Sequence, residues 1–173
     1  MKALILSAAA AALLHITPTV TLVDRSEVVS RLLAGADRFT AREVHLSSSD
    51  ERRLHDAAGW TPPDDVITFY LGKRADQVEG VLVFMRVDSP HGPLEVAVGF
   101  DKAGAIRGVE VTKATVETKP WIVEALRAGL LNQYRGAAAA TVKGKVGTMA
   151  EYMAELVDRG VAHAGAAYRL FYR

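Results

Sequence analysis

Four stretches rich in β-branched and aromatic residues follow one another in the middle of this chain, and they constrain its fold more than any other feature. They are residues 66–71, 78–87, 94–100 and 106–113. The segments between them are short and contain the turn sequences Gly-Lys-Arg, Ser-Pro-His-Gly-Pro and Asp-Lys-Ala-Gly. Connections of this length join antiparallel neighbours, whereas parallel strands need a long crossover. The sequence therefore predicts an antiparallel β-meander.

Helical patterns precede the meander. Residues 24–36 place their apolar side chains on one face, which predicts a helix. A short strand is expected at residues 40–46. The serines and acids that follow predict a second helix, running to Ala58, whose capping box pairs the Ser48 hydroxyl with the Glu51 carboxylate.

Two further helices are predicted after the meander. The first begins near Pro120, which suits a first helical turn, and its apolar stripe continues to Gly136. The second begins at Thr148, whose hydroxyl and the Glu151 carboxylate form another predicted capping box. Helices on both sides of an antiparallel meander define an α+β fold, and we predict a single such domain over residues 24–173.

Composition excludes several kinds of chemistry. The 173 residues include no cysteine, so disulfides, thiolate metal sites, Fe–S clusters and cysteine nucleophiles are excluded. The net charge of +1 argues against a nucleic-acid partner, because such partners need a basic surface. No zinc-site spacing is found among the five histidines, and no set of catalytic acids, bases or nucleophiles is evident; the histidines are His15, His45, His55, His91 and His163.

The N-terminal segment, residues 1–23, differs from the rest. Lys2 precedes an apolar run from Ala3 to Leu14, and no further charge occurs before Asp24. This pattern matches a secretory signal, and the run is short for a membrane span. We expect export, with either a cleaved signal peptide or a retained anchor; a cytoplasmic N-terminal helix is the alternative.

Three motifs in order give the chain a resemblance to a known family. They are a hairpin at residues 99–111, with the sequence GFDKAGAIRGVEV, then Glu117-Thr118, and then a helix ending in Gln133-Tyr134-Arg135-Gly136. Over about residues 65–173 the chain resembles the FMN-binding domain family, which includes the flavin-carrying subunits of the Rnf and sodium-pumping NADH:quinone reductase complexes and stand-alone exported proteins. The resemblance implies an α+β flavin domain that relays electrons within a membrane redox complex, in a periplasmic or extracytoplasmic location.

The flavin-attachment motif differs from that of the family. Family members carry FMN on the last threonine of an Asp-x-x-Ser/Thr-Gly-Ala-Thr motif, which corresponds here to residues 142–148. Thr148 keeps that last position, while Val142 replaces the aspartate, Lys145 the hydroxyl residue and Val146-Gly147 the Gly-Ala pair. The resemblance thus implies Thr148 as the attachment residue, in a motif that has lost its other members.

A phosphate near Thr148 is also expected on physical grounds. A helix N-terminus favours an anion, Lys143 and Lys145 add positive charge, and Gly147 lets the backbone approach a ligand. The flavin ring would then lie against Met149 or Trp121. Alternatively, Thr148 serves only as a helix cap.

Glu117 and Thr118 complete the candidate site. The resemblance places this acidic-Thr element near the flavin, so that Thr118 would donate to a ring carbonyl or to the ribityl chain. The alternative is that both residues only begin a helix. For Trp60 and Trp121 the two possibilities are packing in the core and stacking on a ligand.

Three functions remain open from the sequence. The favoured one is an exported or membrane-associated flavin protein that relays electrons among the subunits of a membrane redox complex. The second is a cofactor-free structural or assembly subunit of such a complex, indicated by the altered attachment motif. The third is an exported module that binds another small ligand.

Overall fold

One antiparallel sheet of six strands forms the centre of the protein. The computed structural model describes residues 17–136 and 149–173. The strands are β1 (Thr19–Thr21), β2 (Arg38–His45), β3 (Val66–Arg74), β4 (Gln77–Val87), β5 (Leu94–Asp101) and β6 (Ile106–Thr115). Their spatial order is β1-β6-β5-β4-β3-β2. With the helices described below, the chain has an α+β fold, as the sequence predicts.

The meander has one strand more than the four successive runs of the sequence. The four predicted strands correspond to β3–β6, and β2 pairs with β3 along its whole length, from Arg38 opposite Lys73 to His45 opposite Val66. At the other edge β1 pairs with the end of β6, where Thr19 lies opposite Thr115. The last residues of the predicted N-terminal segment 1–23 therefore join the sheet as an edge strand.

Among the described residues, four α-helices accompany the sheet: α1 (Arg25–Leu32), α2 (Ser48–Ala58), α3 (Lys119–Arg127) and α4 (Met149–Phe171). The single helix predicted from Pro120 to Gly136 is instead two pieces, α3 and a 3-10 helix at Leu130–Tyr134. Gly129 separates them with a φ of 84°, a left-handed conformation that glycine adopts without strain. The change of direction buries Tyr134 completely.

The capping box of α2 lies one residue before its predicted position. The Ser47 hydroxyl accepts the Asp50 N–H, and the Asp50 carboxylate accepts the Ser47 N–H at 3.1 Å. The prediction of Ser48 and Glu51 was therefore wrong in register. Consecutive serines followed by consecutive acids place a hydroxyl and a carboxylate three residues apart in either register. The same pair of capping hydrogen bonds is therefore available in both.

The main core lies between one face of the sheet and α2, α3 and α4. It contains the alternate apolar side chains of β3–β6, and α4 supplies Met153, Leu156, Val157 and Ala164. Gly160 brings α4 close to the sheet, because a Cβ there would lie 3.0 Å from the Cβ of Val96. This contact holds α4 across β4 and β5.

The opposite face of the sheet is covered by α1, which packs on a row of glycines. Gly72, Gly80, Gly99 and Gly108 lie on four neighbouring strands, with Gly72 opposite Gly80 and Gly99 opposite Gly108. A Cβ on any of them would lie within 2.7–3.1 Å of a side-chain atom of α1 or of the residues that follow it. The row accommodates two buried side chains, Leu32 and Leu33.

Candidate functional site

The seven residues predicted to bind a cofactor divide into two groups. Glu117, Thr118 and Met149 lie within the described residues, at the turn before α3 and at the first residue of α4. Lys143, Lys145, Gly147 and Thr148 lie outside them. The capping box predicted between Thr148 and Glu151 lies in part outside them too. The contacts of the described residues define the other half of the site.

A histidine connects the acidic-Thr element to the first turn of α4. His91 lies in the loop between β4 and β5, and its Nδ1 is 2.7 Å from Oε1 of Glu117. Its ring meets the Trp121 ring edge-on, with centroids 5.1 Å apart, and the Tyr152 ring edge-on at 5.7 Å. We call these four residues, His91, Glu117, Trp121 and Tyr152, the His91 cluster.

The backbone around His91 is held from both sides. Within the loop, the Ser89 hydroxyl accepts the His91 N–H at 3.2 Å and donates to the Gly92 carbonyl at 2.7 Å. From β6, the Thr115 hydroxyl donates to the His91 carbonyl at 3.0 Å. Gly92 has a φ of 89°, and a Cβ there would lie 2.5 Å from Thr115 Cγ2. The tight turn therefore needs a glycine next to His91. By holding the His91 backbone, the turn fixes the position from which the imidazole side chain extends.

The Thr118 hydroxyl is engaged in the turn before α3. Thr118 is buried, and its Oγ1 lies 2.8 Å from Thr115 Oγ1 and accepts the Thr115 N–H at 3.1 Å. In return the Thr118 N–H donates to Thr115 Oγ1 at 3.1 Å. These bonds give Thr118 a structural part in positioning Glu117. Its contact with a cofactor stays a prediction.

The surface beside the cluster combines apolar exposure with an unsatisfied polar atom. Val116, next to Glu117, is 54% exposed, and Met149, three residues before Tyr152, is 48% exposed. The Tyr152 hydroxyl is buried and has no hydrogen-bond partner among the described residues. Buried hydroxyls normally have a partner, so this atom is a candidate contact for a ligand.

A second histidine lies on α4 and takes no part in the cluster. His163 stacks on Trp60 with ring centroids 4.7 Å apart and an angle of 9°. Burial, with a contribution from the nearby Arg159, lowers the pKa of His163 to about 4, so the ring is neutral near pH 7. Trp60 is itself buried, and its stacking partner is this histidine.

A tyrosine and a carboxylate form another buried pair between the 3-10 helix and α4. Tyr134 donates its hydroxyl to Oδ1 of Asp158. Burial and this hydrogen bond raise the pKa of Tyr134 well above its usual value. Oδ2 of Asp158 is buried and has no partner among the described residues. The pair joins the 3-10 helix to α4 and shares no residue with the His91 cluster.

The described residues line open cavities elsewhere on the surface. One of about 1050 Å³ lies along the first half of β6 and is lined by three arginines, Arg31, Arg107 and Arg135. Another of about 340 Å³ lies beside the loop after Trp60. Neither is lined by a residue of the His91 cluster. The cluster is therefore a surface site formed by two loops and two helices.

His91 was not predicted as a site residue. Its partners lie 26, 30 and 61 positions later in the chain, so no local spacing indicates the cluster. The available signal was the Pro-His-Gly-Pro turn, whose rigidity favours a fixed side chain.

Within residues 17–136 and 149–173, no group of three His, Asp or Glu side chains is arranged to hold a metal ion. None of the helices in those ranges is long and apolar enough to span a bilayer.

Comparison with protein-family models and with curated proteins finds no match to this chain. The assignment of a ligand therefore depends on the residues of the site and on their order in the sequence.

Proposed function

We propose that this chain is an exported or membrane-associated flavin protein that binds FMN and relays electrons to or from subunits of a membrane redox complex. FMN bound there would supply the electron-transfer chemistry, because it accepts and donates electrons singly or in pairs. The protein would supply position and electrostatics. The proposal includes a periplasmic or extracytoplasmic location, after the pattern of residues 1–23.

One observation carries the proposal. The two sequence elements that the family resemblance assigns to the flavin, Glu117-Thr118 and the start of α4, meet through His91, which binds Glu117 and contacts Tyr152. Glu117 and Tyr152 are 35 positions apart in the sequence, and their common contact with His91 supports a shared site.

The chemistry of the described residues supports a flavin at this site. Trp121 and the exposed Met149 and Val116 offer apolar surface for a planar ring. The unpartnered Tyr152 hydroxyl offers a hydrogen bond. Lys143, Lys145, Gly147 and Thr148 are the proposed phosphate residues. They immediately precede α4, where the helix N-terminus favours an anion.

A cofactor-free structural subunit of a redox complex is the second candidate. The changes at Val142, Lys145 and Val146-Gly147 favour it, since they remove most of the attachment motif. The engaged Thr118 hydroxyl also favours it, because a threonine bonded to Thr115 has less capacity to contact a ligand.

The test is to produce the full chain in hosts with and without a flavin transferase. Visible spectra and intact masses are then recorded for the wild type and Thr148→Ala. We expect the wild type to be yellow. A flavin mass that depends on both the transferase and Thr148 indicates covalent attachment, whereas colour released on denaturation indicates non-covalent binding. Thr141→Ala is the matched control, because it removes another threonine of the same segment.

One result would contradict the electron-relay proposal. Protein purified from its native source that is colourless, and that binds no added FMN, would overturn the electron-relay proposal. That result would leave the structural subunit as the better explanation.

A further inference from the structure

We propose that the first half of β6 is a docking site for an extended, acidic segment of a partner protein, which adds to the sheet as a short strand beside β1. The inference goes beyond the proposed function and does not depend on it, because it uses no residue of the candidate cofactor site. It applies equally to a flavin protein and to a cofactor-free subunit.

The first support is that β1 covers only one end of β6. It pairs with the last three residues of that strand. Just before them, the Thr112 carbonyl accepts the Leu22 N–H at 2.8 Å, and the chain then turns into α1. At the other end of β6, the Gly136 N–H donates to the Ile106 carbonyl at 2.8 Å. Between these contacts residues 107–111, about 17 Å of extended chain, have no strand partner on this side among the described residues.

The second support is the groove that contains this edge. The cavity of about 1050 Å³ is lined by residues 106–110 of β6, and we call it the β6 groove. Arg31 and Leu32 of α1 line one side, and Leu131 and Asn132 of the 3-10 helix line another. Walls of this kind leave room for one extended segment and hinder pairing with the edge of a second sheet.

The backbone of the edge favours a peptide over a small ligand. An edge strand without a neighbour presents both N–H and C=O groups, which a further strand can pair with. Alternate residues direct these groups to each side of a strand, so roughly two or three residues of the stretch 107–111 present them to the groove. A small anion satisfies only the donors, whereas an extended peptide satisfies donors and acceptors together. Peptide recognition by strand addition uses this arrangement.

The third support is the charge of the arginines in the β6 groove. Arg31 is paired with Glu110, with Nε 3.2 Å from Oε1. Arg107 donates to the Ala34 carbonyl at 2.6 Å, and that acceptor is neutral. Within the part of the chain that the structure describes, neither Arg107 nor Arg135 forms an ion pair. Guanidinium groups bind carboxylates through paired hydrogen bonds, so both favour an acidic occupant.

The acids of the groove do not cancel this preference. Asp101 accepts the N–H groups of Ala103 and Ala105, each at 2.9 Å, and Glu110 is the partner of Arg31. Residues 137–148 follow the groove in the chain, and they contain two lysines and no acid. Charge complementarity therefore favours a segment of another protein over this stretch of the chain itself.

The first arm of the test needs no ligand. Amide hydrogen exchange is measured residue by residue by NMR on the full chain. Within residues 107–111 we expect amides bonded to β5 to exchange slowly and those facing the groove to exchange fast. Slow exchange of all of them would overturn the proposal: if independent of protein concentration, the chain covers its own edge, and if it grows with concentration, a second copy does.

The second arm uses a fluorescein-labelled peptide of alternating valine and glutamate, long enough to span residues 107–111. Fluorescence anisotropy compares its binding with that of the same peptide carrying lysine for glutamate. We expect the acidic peptide to bind more tightly, and Arg107→Gln combined with Arg135→Gln to weaken it by about tenfold. Arg52→Gln is the matched control, because Arg52 is an exposed arginine of α2 outside the groove. Circular dichroism verifies that each variant is folded.

A third arm distinguishes strand addition from attraction by charge alone. Peptides are N-methylated at alternate positions, in either of the two phases. One phase should abolish binding, because it removes the N–H groups that face β6, and the other should leave binding nearly unchanged. The bound acidic peptide should also slow the fast-exchanging amides of residues 107–111.

The contrary outcomes are distinct from those of the flavin test. Equal binding of the acidic and lysine peptides, an unchanged affinity in the arginine variant, or equal effects of the two N-methylated peptides would overturn the docking site. Inorganic phosphate that displaces the peptide and binds as tightly would show a small-anion site instead. None of these measurements involves FMN, so a colourless chain overturns the proposed function and leaves this inference standing.

Discussion

Replacing Gly108 with alanine should destabilise the protein through one contact beneath α1. The added Cβ would lie 2.7 Å from Cδ2 of Leu32, about 1 Å inside the usual separation of two carbon atoms. Overpacking of this kind costs about 1–3 kcal/mol. Removing a glycine from a strand returns roughly 0.5–1 kcal/mol. Because the far end of the leucine can rotate, we expect a net loss of about 1 kcal/mol.

A double-mutant cycle isolates that contact. Leu32→Ala alone should cost about 2–5 kcal/mol, since it empties buried space above the glycine row. In the Leu32→Ala background Cδ2 is gone, so Gly108→Ala should cost nothing or stabilise slightly. The expected coupling is about 1–2 kcal/mol. The free energy of unfolding is measured by urea denaturation followed by circular dichroism.

Gly99 provides the internal comparison. A Cβ at Gly99 would lie 3.1 Å from the Cβ of Leu32, an atom that Leu32→Ala retains. Gly99→Ala should therefore be rescued less than Gly108→Ala. If the effects of the Gly108 and Leu32 substitutions on the free energy of unfolding add within about 0.5 kcal/mol, the contact between these two residues does not limit stability.

Three further changes test other parts of the structure. Tyr134→Phe should cost about 1–3 kcal/mol in urea denaturation, because it leaves the buried Asp158 carboxylate without its donor; a loss no larger than that of an exposed Tyr→Phe change would contradict this. Ser47→Ala should cost about 1 kcal/mol of unfolding free energy and Ser48→Ala almost none, because Ser47 caps α2. A larger loss for Ser48→Ala than for Ser47→Ala would instead support the capping box predicted at Ser48. Because the pKa of His163 falls from 6.5 to about 4 on folding, its contribution to stability is present above pH 6.5 and is lost as the pH falls toward 4. The free energy of unfolding measured across this pH range should change less in His163→Phe than in the wild type. Parallel curves for the two proteins would contradict the lowered pKa of His163.

The sequence predicts the sheet better than the helices around it. Short turns identify β3–β6 as antiparallel neighbours, because chain connectivity restricts where each strand can pair. It does not reveal that β2 joins them. Because α2 lies between β2 and β3 in the chain, the connection alone does not dictate which strand β2 pairs with. The break at Gly129 was missed for a related reason. The apolar stripe continues in register through it, and only the packing of Tyr134 distinguishes one helix from two.

The candidate site shows a similar division. Motif order indicates Glu117 and Thr118, and Met149 is predicted as an apolar contact for the ring; the Thr118 hydroxyl is bonded to Thr115, and its contact with a cofactor stays a prediction. His91 is not predictable from spacing, because its partners belong to three other segments that meet only in the folded chain. Sequence patterns report local periodicity well, and they report poorly on contacts made across a sheet.

The placement of β1 has a consequence for how the sheet assembles. Strands β3–β6 are joined by short turns and close short loops at low entropic cost, and β2 pairs with β3 across the segment that contains α2. Thr19, in contrast, pairs with Thr115, which lies 96 positions later in the chain. We therefore expect β1 to dock last and to detach first, with backbone amides that exchange with solvent while the other five strands remain folded. The sheet thus has one edge that can open independently of its core.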